Sequence, residues 1–274
     1  MAIHSFLKAE RGDPDWQFSP EDYFGQEFKI IDASLVELDE GLSEKVVLRQ
    51  NPTEKELLAK HLRVHIQKDS TLEMIILNDV DANLQQVFLY DIHLKAGASL
   101  SLGLFAKDGR LNKHIIQVFL EDGSTFAAYG LISNNTGGDT EVITKVVHQG
   151  EGSISSQLFL GLAGENSQTV FQAIAVAEPN AVGSDITIEN CNLITGVQGR
   201  CYSKPETYVN AEFVTSSYAT ENETISLEKL SYLQSRGISS EKARELLISG
   251  FRSQTIILVP EDNIREEIKE MYSE

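Results

Sequence analysis

From Arg63 onward the chain alternates apolar and polar residues in short runs. "LRVHIQ", "SLSLGLF", "IIQVFL" and "SISSQLFLGL" all show it: Leu100, Leu102 and Leu104 share one face, as do Ile154, Leu158, Leu160 and Leu162. A period of two is that of a strand half-buried against a core. Turn formers separate the runs at Asp69-Ser70, Gly97, Asp122-Gly123, Gly150 with Gly152, and Gly183. They recur about every 30 residues, room for two or more short strands, as in stacked rungs. Alternating strands with regular turns fit a β-sandwich as well as a solenoid. Repetition over at least four units favours the solenoid. So does a strand face rich in Ser, Thr, Asn and Gln, which suits pairing above and below. No strict hexapeptide motif accompanies it.

The two ends read differently. "DPDWQFSPEDYFGQEF" mixes turn formers with aromatics, "FKIIDASLVEL" is compatible with a pair of short strands, and "NPTEKELLAKHL" (51–62) with a short helix or an acidic-basic turn. Residues 1–62 are therefore expected to form an irregular cover, 63–222 a β-helix core and 223–274 a helical domain. After Ser226 the period shifts to 3.6. Ser226 is the expected N-cap, with Glu228 in the first turn and Leu227, Leu230 and Leu233 on one stripe. Gly237 is the expected left-handed stop. A second helix is expected from Ser239 to Gly250, with Ala243, Leu246 and Leu247 on its apolar face. A third opens at Pro260, with Ile264, Ile268 and Met271 on one stripe. By themselves these stripes fit a cap that seals a sheet edge or a docking surface.

Charge narrows the partners. The 274 residues carry 23 Lys and Arg against 41 Asp and Glu, a formal net charge of −18. Phosphate backbones and anionic lipids attract clustered cations, so nucleic acid and membranes are not expected partners. No run approaches the roughly 20 apolar residues of a membrane span. "MAIHSFLKAERGDPDWQ" carries acids and a proline where a secretory signal is apolar, so a cytoplasmic location is expected. Cys191 and Cys201 fit neither a disulfide framework nor a CxxC pair. His93, His114 and His148 are expected to be rung or edge residues, because no carboxylate or second His recurs at ligand spacing around them. No Ser/His/Asp ordering or phosphate-cradling loop stands out, so no enzymatic activity is expected.

The stretch "LSYLQSRGISSEKARELLISGF" (Leu230 to Phe251) resembles the C-terminal signature of the SufB/SufD family of iron–sulfur cluster assembly proteins. Its family-matching residues are Tyr232, Leu233, Ser235, Arg236, Gly237, Ile238, Ala243, Leu246, Leu247, Gly250 and Phe251. Upstream, "YSKPE" (Tyr202 to Glu206) is similar to the family's Lys-Pro-Glu. His148, Ser155, Gln157 and Gly161 match its spaced His, Ser, Gln and Gly, and Asp185, Asn190, Asn192 and Leu193 its Asp and Asn-x-Asn-Leu. The resemblance implies a mostly β fold, a right-handed parallel β-helix followed by a small C-terminal α-helical domain. It also implies docking of an ABC-type ATPase, SufC, on that domain, through Leu230, Tyr232, Leu233, Arg236, Gly237, Ile238, Ala243, Leu246, Leu247 and Phe251. Pairing as a homodimer, or as a heterodimer with a relative, is implied through the solenoids.

The departures bear on chemistry. Where the family commonly has Cys-Ser-His-Gly-Ala-Thr-x-Gly-Gln before the hairpin, this chain has Ser216, Ser217, Tyr218, Ala219 and Thr220, then Glu223-Thr224 for Gly-Gln. Serine stands at the thiolate position and tyrosine at the imidazole position, and neither holds iron or sulfide as those groups do. Ile188 replaces a usual Gln and Leu160 a usual Lys. The expectation is a non-catalytic scaffold with no cofactor of its own, a cluster being possible in the assembled complex. Cys201 is the best remaining soft ligand. The alternatives are a scaffold holding a cluster through Cys191 or Cys201, and a β-helix binding or carbohydrate-active protein. The last needs an aromatic ladder that Tyr90, Tyr129 and Phe126 do not form.

Overall fold

The computed structural model describes residues 30–50 and 58–273. Their strands form two parallel seven-stranded sheets, and the chain alternates between them, so that each turn of a solenoid adds one strand to each. The first sheet stacks β1 (Ile30–Leu38), β3 (Leu58–Ile66), β5 (Gln85–Leu94), β7 (Leu111–Leu120), β9 (Asp139–His148), β11 (Gln168–Ala177) and β13 (Arg200–Val209). The second stacks β2 (Ser43–Arg49), β4 (Thr71–Val80), β6 (Ser99–Asp108), β8 (Thr125–Asn134), β10 (Ile154–Ala163), β12 (Asp185–Ile194) and β14 (Thr215–Thr224).

Register makes the periodicity physical. Thr71, Ser99, Thr125, Ile154, Asp185 and Thr215 pair in one column, so Leu72, Leu100, Phe126, Ser155, Ile186 and Ser216 form the next. Alternate residues on a strand face opposite sides. Leu100, Leu102 and Leu104 thus fill the lumen beside Phe126, Phe159 and Phe171, all buried. The corner before each strand of the second sheet is left-handed: Gly41, Asp69, Gly97, Gly123, Gly152, Gly183 and Phe213 have φ between 57° and 74°. That conformation penalises a Cβ and favours glycine. The turn signals at 69, 97, 123, 152 and 183 are this column.

Strands begin earlier than expected. β1 is one strand in the segment compatible with two, β2 lies within the expected cover, and β3 begins in it at Leu58, where a short helix or a turn was expected. Alternating Val46 and Leu48 pack against the lumen core. The rest of the expected cover, residues 1–29 and 51–57, lies outside the described residues.

Three helices follow: α1 (Leu227–Ser235), α2 (Ser240–Ile256) and α3 (Asp262–Met271). Ser226 and Ser239 cap α1 and α2, their side chains accepting from Lys229 N and Lys242 N. Gly237 turns the chain between them at φ +85°. α2 does not stop at Gly250 but continues to Ile256. Gly250 has an ordinary helical φ, and extending the helix past it carries Phe251 and Ile256 onto the solenoid. Among the described residues, no helix is long and apolar enough to cross a membrane.

Candidate docking site and the end of the solenoid

The helical domain has a fixed half and a free half. Ile256, Val259, Ile264, Ile268 and Tyr272 pack on the outer face of the second sheet, against Ile75, Leu77, Phe105, Tyr129, Leu131, Leu160, Leu162 and Leu193. Each such aliphatic side chain contributes about 1.5–3 kcal/mol when fully buried. Ion pairs tie down the same half: Lys45 to Glu73 at 3.0 Å and to Glu261 at 2.5 Å, and Arg49 to both carboxylate oxygens of Glu267 at 2.7 Å. The buried Tyr272 hydroxyl lies 2.8 Å from the Leu131 carbonyl and 3.2 Å from that of Ala106, and shares its one proton between them.

The free half is the hairpin of α1 and the first turns of α2. α1 has no buried residue, and Leu227, Tyr232 and Leu246 are 78%, 58% and 44% exposed. Arg236 stands over the Tyr232 ring at 5.4 Å. Of the residues expected to dock a partner, Tyr232, Arg236, Gly237 and Leu246 face solvent, while Leu230, Leu233, Ile238, Leu247 and Phe251 are half-buried. Ala243 is fully buried and closes the hairpin, so it offers no surface. Phe251 leans on the core beneath the helices. A pocket of about 260 Å³ separates Leu247 and Phe251 from Glu223 and Thr224 at the end of β14. The Arg244 guanidinium donates to the Thr195 carbonyl and so tethers the start of α2 to the loop between β12 and β13.

The altered ligand segment is β14, the edge strand of the second sheet, exposed along its whole length. Ser216, Tyr218, Thr220 and Asn222 pair with Ile186, Ile188, Asn190 and Asn192, all buried, and so continue the lumen columns at the open end. Asn192 donates to Asn222 Oδ1 at 2.8 Å, extending a ladder that starts at Asn190. Ser216 and Tyr218 thus occupy neighbouring positions on one side of the strand.

The cysteines do not compensate. Cys191 pairs with Leu160 in the outer face of the second sheet, under the helices. Burial raises its thiol pKa, and Glu221, Glu189 and Glu223 raise it further. Cys201 pairs with Thr169 at the far end of the first sheet and accepts from its hydroxyl at 3.1 Å. Burial raises its pKa as well. Both thiols are therefore shifted away from the thiolate form, and they sit in different sheets.

His148 is buried between Ser153 Oγ (2.8 Å) and Ser155 Oγ (2.9 Å), and burial lowers its pKa to about 4. His114 lies between Tyr90 Oη (3.0 Å) and the amide oxygens of Asn78 and Asn112, with its pKa down to about 3 for the same reason. Both are neutral rung residues. His93 is a rung residue of β5 as well, though it has a carboxylate and a second His near it. Asp91, two residues earlier on the same strand face, is 3.3 Å away, and the His65 ring from the adjacent strand is 5.3 Å away. Strand spacing of two and cross-strand register gathered them, which a search for helical or loop ligand spacings misses. Among the described residues no group of three or more His, Cys, Asp or Glu is placed to hold a metal ion.

The architecture is that of a two-sheet parallel β-solenoid whose last rung leads into a partly free helical hairpin. The chain belongs to the family of the SUF system FeS cluster assembly SufBD core domain, whose model matches residues 24–251. It is similar to an iron–sulfur cluster assembly SufBD family protein of Synechocystis, at 23% identity over 167 residues, 60% of this chain and 36% of that protein. It is similar to the iron–sulfur cluster assembly protein SufD of Bacillus subtilis, at 24% over 163 residues, 54% of this chain and 37% of the relative. A SufBD family protein of Mycobacterium leprae is 32% identical over 104 residues, 38% of this chain and 26% of its own length. The chain thus spans between about a quarter and little more than a third of the length of these relatives.

Proposed function

We propose that this chain is a non-catalytic scaffold subunit of an iron–sulfur cluster assembly complex, and that its α1–α2 hairpin docks an ABC-type ATPase of the SufC kind. The observation that carries the reading is the division of the helical domain. The signature residues Tyr232, Arg236 and Leu246 stand in solvent, while the distal half is clamped to the solenoid by Tyr272 and the ion pairs of Lys45 and Arg49. A hairpin held this way passes a pull into the second sheet instead of folding back. The ATPase, on this reading, supplies the motion and the solenoid receives it.

The open end favours pairing with a second copy or a SufB/SufD relative. β14 is a ten-residue edge strand with unpaired backbone groups and exposed Tyr218, and such an edge readily accepts another strand. With serine and tyrosine at the altered positions and the two cysteines in different sheets, the chain's part on this reading is structural, and cluster ligands come from a partner.

Affinity capture tests the docking. Tagged chain, expressed in its native cell, brings down an ABC-type ATPase. The Tyr232→Ala/Arg236→Ala double variant loses at least tenfold of that capture with an unchanged melting temperature. Equal capture by the variant contradicts the reading.

A further inference from the structure

Two facing columns of the solenoid lumen shrink together over two rungs. In the second sheet Leu102, Ala128, Gln157 and Ile188 stack in one column. In the first sheet Ile116, Thr144, Ala173 and Pro205 do the same. The columns face each other, because the rings of Phe159 and Phe171, the lumen residues next to Gln157 and Ala173, stack at 4.9 Å. Gln157 therefore looks across at Ala173, and by the same repeat Ala128 looks across at Thr144 one rung earlier. Large apolar side chains fill this layer on both sides, Leu102 and Ile116 before it and Ile188 after it. Between them stand two alanines, a threonine and a glutamine, all buried. Among the described residues, neither Nε2 nor Oε1 of Gln157 has a hydrogen-bond partner, and neither does Thr144 Oγ1. Polar lumen residues one step away are served by the protein: His148 lies within 2.9 Å of both Ser153 Oγ and Ser155 Oγ.

An amide taken out of water with neither its donor nor its acceptor paired is costly, and native interiors almost always satisfy such groups with protein or ordered water. We propose that this layer of the lumen is an internal water site, in which one water molecule bridges the Gln157 amide and the Thr144 hydroxyl. The requirements of such a site are room and polar partners. Alanine at 128 and 173, where the neighbouring rungs carry leucine and isoleucine, supplies the room. Gln157 supplies two N–H donors and a carbonyl acceptor, and Thr144 a hydroxyl that both donates and accepts. The ligand is small and neutral, because no charged side chain belongs to either column. The surrounding walls are the aromatic and aliphatic side chains of the lumen core, so an ion would lose its hydration without a counter-charge. The site is independent of the docking reading above.

Crystals of the whole chain, diffracting well enough to show ordered water, test this directly. The expected result is one isolated density peak in the lumen, about 2.7–3.2 Å from both a Gln157 amide atom and Thr144 Oγ1. The same peak is expected to vanish in Thr144→Val and in Gln157→Met, which keep the shape of the layer but remove one partner each. In solution, the Gln157 side-chain amide protons of the unaltered chain are expected to show a nuclear Overhauser effect to water. No peak and no such effect, a Gln157 amide bonded directly to a protein group, or a peak that persists in Thr144→Val each overturns the proposal. The first two readings need no variant, so the outcome stands even if Gln157→Met fails to fold.

Discussion

Tyr272 fixes the helical domain to the solenoid with one phenol. Its ring is buried against the second sheet, and its hydroxyl reaches backbone carbonyls on β6 and β8. Removing only the hydroxyl takes a hydrogen bond out of a dry place, where its loss costs about 1–2 kcal/mol. Tyr272→Phe is therefore expected to lower unfolding stability by that amount in urea titration while leaving the strand content intact. No change would mean that the clamp is elsewhere. This residue could not be singled out beforehand, because the third helix declares its stripe at Ile264, Ile268 and Met271 but gives no hint of which sheet it will meet. Ser226, Ser239 and Gly237 were legible because capping and left-handed turning are decided within four residues of chain. The surroundings of His93 were not, since they depend on which strand lies next to β5.

At the scale of elements, the rung corner explains both what was readable and what was not. Glycine and aspartate at 69, 97, 123, 152 and 183 mark the left-handed column in plain view, but its last member is Phe213, at φ 57° and 82% exposed. A large side chain in this conformation costs about 1 kcal/mol relative to glycine. Phe213→Gly is expected to raise stability by about that much in thermal or urea unfolding, since the exposed ring gives little back. A loss of stability would show that contacts of the ring outweigh the strain. β1 showed as strand in the sequence, but β2 did not, because it is only seven residues long and buries little, so its alternation is faint. The length of α2 escaped it because a glycine in mid-helix is sequence-identical to a glycine at a helix end, and only the sheet beneath Phe251 and Ile256 decides between them.

At the scale of the whole molecule, a rigid stack of rungs ends in an edge strand and carries a hairpin that is tethered at one end and free at the other. The solenoid was legible because its repeat is local and recurs through the chain. The division of the helical domain was not, because exposure of α1 and burial of α3 follow from tertiary packing. On the reading proposed above, the cluster chemistry lies outside this chain and the hairpin makes the chain a mechanical link. The most direct test of that claim is site-specific photocrosslinking in the native cell, with a photoreactive residue at position 246 on the hairpin or at position 154, an equally exposed site on β10. The account predicts crosslinks to an ABC-type ATPase from position 246 and none from position 154. Crosslinks from 154 alone, or none from 246 while the ATPase co-purifies, would contradict it.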